Sequence, residues 1–140
     1  MNHSDLVTAA GKLLRNKFHC RVVLSEHISL NRTCETPDSI GWVGGKSILI
    51  ECKTTIADFR ADQKKFSRRS GIALGNWRFY LAPEGVLNTN EVPDGWGLYN
   101  IRGKRIYHAG GVEYANAASP PFESDLKSEV AMLVSALARI

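Results

Sequence analysis

The dipeptide Gly44-Gly45 stands between two short runs of strand-forming residues, 39–43 and 47–53, and constrains this chain more than any other feature. Adjacent glycines readily take the positive φ angles of a tight two-residue turn, so the two runs are expected to fold back on each other as an antiparallel hairpin. Such a loop also fixes the register. Val43 then faces Lys46, Trp42 faces Ser47, Ile40 faces Leu49 and, one step outside the first strand, Asp38 faces Glu51. A four-residue loop keeps this pairing, and a three-residue loop breaks it.

Side chains opposed on one face of an antiparallel pair have Cβ atoms about 4.5–5.5 Å apart. Two carboxylates at that separation repel unless they are protonated or share a cation, and paired oxygen ligands suit Mg²⁺ or Mn²⁺. Lys53 follows Glu51 by two residues and so points to the same face of the strand. An ammonium there is placed to orient an attacking water or to balance negative charge developing at phosphorus. Acid-x-lysine spacing alone carries little weight, because a chain with 14 acidic residues meets it by chance and this one has it three times, at Glu51/Lys53, Asp62/Lys64 and Asp125/Lys127. The first alone ends a predicted strand. The other two fall in predicted helices, where residues two apart do not share a face.

The rest of the chain supplies the scaffold. Ser4 is an expected N-cap for a helix over 5–18, with Leu6, Ala10, Leu13, Leu14 and Phe18 on its inner face. From 21 to 30 the period changes to two, with Val22, Leu24, Ile28 and Leu30 on one face and Glu26 among them. A carboxylate on an apolar face is normally neutralised, paired or bound to metal. Ile56, Phe59, Gln63 and Phe66 mark a helix over 57–69, 77–82 reads as a strand, and 97–101 with 105–109 form a second hairpin after a Gly95-Trp96-Gly97 turn. Ser119-Pro120-Pro121 opens a last helix, whose Phe122, Leu126, Val130, Leu133, Val134 and Leu137 are expected to form a core stripe. The order α-β-β-β-α-β-β-β-α is that of a mixed sheet flanked by helices, an α/β architecture in one domain spanning 1–140.

Pro37-Asp38, then Glu51-Cys52-Lys53 at the end of an apolar strand, then an amphipathic helix carrying Gln63, resemble the P-D…(D/E)-x-K nuclease superfamily. The resemblance covers roughly 21–82 and implies a restriction-endonuclease-like fold, an α-β-β-β-α-β core here extended by a C-terminal hairpin and helix. It implies that Asp38 and Glu51 bind the metal, that the carbonyl of Cys52 adds a ligand, and that Lys53 is the catalytic lysine. It further implies that Glu26 is the upstream acidic ligand and that Gln63 stands near the metal. The run Glu51-Cys52-Lys53 with Asp58-Phe59, Asp62 and Lys64-Lys65 is also similar to small proteins borne by phages and prophages. The implied activity is a Mg²⁺- or Mn²⁺-dependent nuclease that hydrolyses phosphodiesters by metal-activated water, with DNA expected over RNA and a homodimer left open. The alternative is a nuclease-fold module that binds nucleic acid or a partner protein with little turnover.

Composition agrees without deciding. Eighteen Lys+Arg against fourteen Asp+Glu leave +4, a mild excess for a polyanionic partner. Arg60, Lys64 and Arg68 recur at helical spacing with Lys65 and Arg69 beside them, a ridge on which phosphates are expected to dock. Cys20, Cys34 and Cys52 are odd in number and show no C-x-x-C spacing, which argues against a disulfide framework or zinc knuckle and suits a reducing compartment. The four histidines lack ligand spacing, and Trp42, Trp77, Tyr80 and Trp96 read as core. With no apolar run of membrane-spanning length, no membrane association is expected, and the cytoplasm of a prokaryotic or phage-infected cell is the expected location.

Overall fold

A computed structural model of the chain describes residues 1–25, 37–66 and 73–140, with the backbone alone for 64–66. Its elements are α1 (His3–Asn16), β1 (Val22–Ser25), β2 (Ser39–Val43), β3 (Lys46–Cys52), α2 (Ile56–Phe66), β4 (Trp77–Pro83), β5 (Trp96–Arg102), β6 (Arg105–Gly111) and α3 (Leu126–Ala138), with a 3₁₀ turn at Thr89–Glu91. The six strands form one sheet in sequence order. β1, β2 and β3 are antiparallel, β3, β4 and β5 run parallel, and β6 returns antiparallel. The result is a mixed α/β architecture.

The hairpin sets this sheet. Gly44 and Gly45 have φ of 56° and 80°, values that a side chain would strain. Val43 pairs with Lys46, Ile40 with Leu49 and Ser39 with Ile50, which is the register expected from the two-residue turn. Because side chains alternate, β3 then feeds two cores. Ile48, Ile50 and Cys52 pack with Leu6, Ala10, Leu14 and Phe18 under α1, whereas Leu49 joins Phe59, Tyr80, Leu98 and Met132 under α2 and α3. Helices therefore cover both faces, as strands buried on both sides require.

Several boundaries differ from expectation. Asn2, rather than Ser4, caps α1, because Asn2 accepts from the Asp5 amide at 2.8 Å while the Asp5 carboxylate accepts from the Asn2 amide at 3.1 Å. β5 begins at Trp96, one residue before the expected strand, so Trp96 lies in the strand rather than in a turn; a Cβ on Gly97 would run into Val112 O and would meet the Phe79 ring at 2.6 Å, so glycine is what lets this strand pack. Glu26, Ile28, Leu30 and Cys34 lie outside the described residues. Val22, expected on the core face, is 44% exposed on the edge strand.

The largest correction concerns α3. It starts only at Leu126, capped by Asp125, whose carboxylate accepts from the Ser128 hydroxyl at 2.8 Å. Four residues of the expected core stripe face outward, with Leu126 64%, Val130 56%, Val134 58% and Leu137 67% exposed, whereas Phe122 packs against the core ahead of the helix and Leu133 is half-buried. Ser128, Glu129 and Met132 face the sheet instead. The cause is polar. Glu129 is buried and accepts hydrogen bonds from Trp42 Nε1 at 3.1 Å, the Ser47 hydroxyl at 2.9 Å and the Gly75 amide at 3.0 Å. Three donors on two strands and a loop converge on one carboxylate, and rotating the apolar stripe inward would take this acceptor from the Trp42 indole and the Gly75 amide and leave the Ser47 hydroxyl only Asn76 Oδ1, at 3.3 Å.

Glu129→Ala should therefore lower unfolding free energy by about 2–4 kcal/mol in urea titrations, since buried donors left without an acceptor cost about 1–3 kcal/mol each. Leu126→Gln/Val130→Gln should stay within about 0.5 kcal/mol of the wild type, the reverse of what a core stripe would give. Burial also pushes the Cys20 thiol up to about 11. The native protein should resist iodoacetamide at Cys20 at pH 8.5, as read by peptide mapping. The stability that Cys20 contributes is complete below pH 9, the ordinary thiol value, and is lost as pH rises through about 11.

Candidate active site

β3 ends at Cys52 beside the N-termini of two helices, and the side chains around that end are nearly all polar. His3, Asp38, Glu51, Cys52, Lys53, Asp58, Ala61 and Asp62 line a cavity of about 350 Å³. Asp38 and Lys53 sit one residue outside β2 and β3, respectively, and the hairpin register carries them to the same end of the sheet. Glu51 pairs with Tyr80 across the parallel ladder.

Asp38 is fixed by the neighbouring strand. Its Oδ2 accepts the Cys52 amide at 2.7 Å, so the carboxylate takes over where the β2–β3 backbone ladder stops. Its Oδ1 lies 3.4 Å from His3 Nε2 on the first turn of α1. Cys52 is 3% exposed with its thiol in the α1 core, so what it turns to the cavity is main chain. Lys53 continues β3 by donating its backbone amide to Leu81 O at 3.0 Å, and its ammonium forms an ion pair with the Asp62 carboxylate.

α2 delivers Asp58, Ala61 and Asp62 over this end. Asp58 and Asp62 are four residues apart and so share a helix face. Besides the Lys53–Asp62 pair and the packing of Phe59 in the core, the helix is tied to the sheet through Tyr80. The Phe59 ring meets Tyr80 edge-on at 5.0 Å between centroids, Gln63 Nε2 donates to the Tyr80 hydroxyl at 2.8 Å, and Tyr80 stacks on Trp96 at 4.5 Å. Gln63 is thus spent on the helix–sheet contact and does not line the cavity. Trp77, Tyr80 and Trp96 are buried, and Trp42 is engaged with Glu129.

Of the residues expected in the site, Asp38, Glu51, Cys52 and Lys53 come together, and Glu26 lies outside the described residues. In the basic ridge, Arg60 is exposed and bound to Glu91 at 3.1 Å, a hydrogen bond that raises its guanidinium above the ordinary value. The side chains of Lys64 and Lys65 and all of Arg68 and Arg69 lie outside the description. His3, Asp58 and Asp62 were not expected. The i, i+4 aspartates directly after the strand were a readable sign, whereas nothing local marks a histidine 35 residues upstream of Asp38.

Among the described residues, no three His, Cys, Asp or Glu side chains are grouped to hold a metal by themselves. Asp38 and Glu51 provide oxygen donors in an open polar cavity. That set fits Mg²⁺ or Mn²⁺, which keep waters and use one or two carboxylates, better than zinc, which wants a closed nitrogen and sulfur shell. Among the described residues, no helix is long and apolar enough to cross a membrane.

No family model matches the chain, and no curated protein matches it. Among solved structures, it is similar to a protein of unknown function from Silicibacter pomeroyi, with a TM-score of 0.64 and 19% identity over 99% of this chain and 88% of that one. At that identity the likeness is one of fold.

Asp38→Ala should cost about 1–3 kcal/mol by leaving the Cys52 amide without its acceptor, and that amide should exchange faster by NMR. Asp38→Asn keeps an acceptor oxygen and should keep the amide protected.

Proposed function

We propose that the chain is a metal-dependent nuclease of restriction-endonuclease-like fold, hydrolysing phosphodiesters of DNA in preference to RNA. One observation carries this reading: the hairpin register brings Asp38, Glu51 and Lys53, from two different strands, to one polar cavity. Two carboxylates at the end of a hairpin are an electrostatic cost that an ordinary surface has no reason to bear, and an ion shared between them removes it. The sheet order β1-β2-β3-α2-β4, with β3 and β4 parallel across the α2 crossover, supports the fold assignment.

A divalent cation bound by Asp38 and Glu51 would supply Lewis acidity toward a phosphodiester and its attacking water. The chain's own residues do the rest. The Asp38 side chain is oriented by the Cys52 amide, so its oxygens need no reorganisation when substrate arrives. Lys53 presents an ammonium to the same cavity, where it donates to water or to a phosphate oxygen as negative charge builds. The Cys52 main chain lines the same cavity and is the source of any carbonyl ligand. Phosphate backbone contacts fall to Lys64, Lys65, Arg68 and Arg69, with Arg60 available to the extent that phosphate displaces Glu91.

Purified protein incubated with supercoiled, linear, branched and single-stranded DNA, and with RNA, should cut DNA with Mg²⁺ or Mn²⁺ and stop with EDTA. Asp38→Asn/Glu51→Gln and Lys53→Ala should each lower the rate by at least about 10²-fold while keeping the native melting transition. Cleavage retained by Lys53→Ala removes the lysine from the chemistry. A folded wild type that cuts nothing overturns the nuclease reading in favour of a binding module.

A further inference from the structure

We propose that Asp62 is a positioning residue for Lys53, holding its ammonium at the cavity and away from the carboxylate pair; the catalytic half of this inference rests on the nuclease reading above. A lysine side chain has four rotatable bonds and about 2 kcal/mol of rotamer entropy, so an unheld Nζ samples many positions. In this cavity the wrong positions are attractive ones, because Asp38, Glu51 and Asp58 line it as well. An ammonium settled on Asp38 or Glu51 would take the place that a cation needs.

The structure solves this with a carboxylate from the opposite layer. Lys53 rises from the end of β3, and α2 presents Asp62 to its Nζ, with only 10% of the lysine side chain and 24% of the aspartate side chain exposed. Such shielding separates the pair from surface ion pairs, which order little and contribute about 0–1 kcal/mol. The helix turn carrying Asp62 is itself fixed, since Phe59 and Gln63 flank it and both bind Tyr80, the ladder partner of Glu51. The distance from Lys53 to the carboxylate pair is therefore set by β3, β4 and α2 together. An ammonium has three donors. Asp62 takes one, and the others serve water or phosphate.

Two readouts test this, and the first needs neither metal nor turnover. In competitive acetylation followed by peptide mass spectrometry, Lys53 of Asp62→Asn should label about tenfold faster than in the wild type, while Lys12 and Lys104 stay unchanged. In cleavage assays, Asp62→Asn should lose about 10–100-fold in kcat with KM within about twofold, as expected when a reacting group is misplaced rather than substrate lost. Asp62→Glu, which restores the charge one methylene further out, should recover most of both and also serves if Asp62→Asn folds poorly. Unchanged Lys53 labelling in Asp62→Asn overturns the positioning role, as does a loss confined to KM. A wild type that cuts nothing overturns the catalytic half, and the labelling result then judges the pairing alone.

Discussion

The hydrogen bond from the Cys52 amide to the Asp38 carboxylate, at 2.7 Å, is the contact on which the site depends. It lies where the β2–β3 ladder runs out. A side chain continues the pairing that the backbone began, so the same carboxylate that extends the open end of the hairpin lines the cavity with Glu51. The two-glycine turn sets the register, and a slip of one residue would send Glu51 and Lys53 into the α1 core and Cys52 to the cavity. Structural and chemical demands on Asp38 therefore cannot be separated by deleting it, though replacing it by asparagine does so.

Around that hairpin the layers have different tasks. α1 covers one face with an apolar core and contributes His3 at its first turn. α2 covers the other face at the cavity and is fixed through Tyr80, which receives both a ring edge and an amide from it. α3 is held by a buried carboxylate and by Met132 rather than by the outward apolar stripe. Rigidity thus concentrates where β3, β4 and α2 meet, and the polar cavity occupies that corner, outside the carboxyl ends of parallel strands, where open α/β sheets usually place ligands.

What was legible in the sequence had local causes. Gly44-Gly45 dictated a turn, the turn dictated a register, and the register brought Asp38 to the same cavity as Glu51. The pleat then placed Lys53. What was not legible had tertiary causes. The outward stripe of α3 reflects Glu129 meeting donors from Trp42, Ser47 and Gly75, residues more than 50 positions away, and an amphipathic pattern does not reveal which face a distant hydrogen-bond network will claim. His3 reached the cavity through helix packing alone. Gln63 was assigned by resemblance to the metal's neighbourhood, and the structure gives its amide to Tyr80. Asp62 was visible as a helical neighbour of Asp58, but nothing local marks Lys53, one residue past β3, as its partner.

The proposed chemistry requires Asp38 and Glu51 to form one divalent-cation site. Calorimetric titration of Mn²⁺ into the wild type and into Asp38→Asn/Glu51→Gln tests it without substrate. One equivalent should bind to the wild type, and none, or one bound at least about tenfold more weakly, to the double variant, with both proteins folded. Equal binding by the two proteins, or a folded wild type that takes up no Mn²⁺, would contradict it.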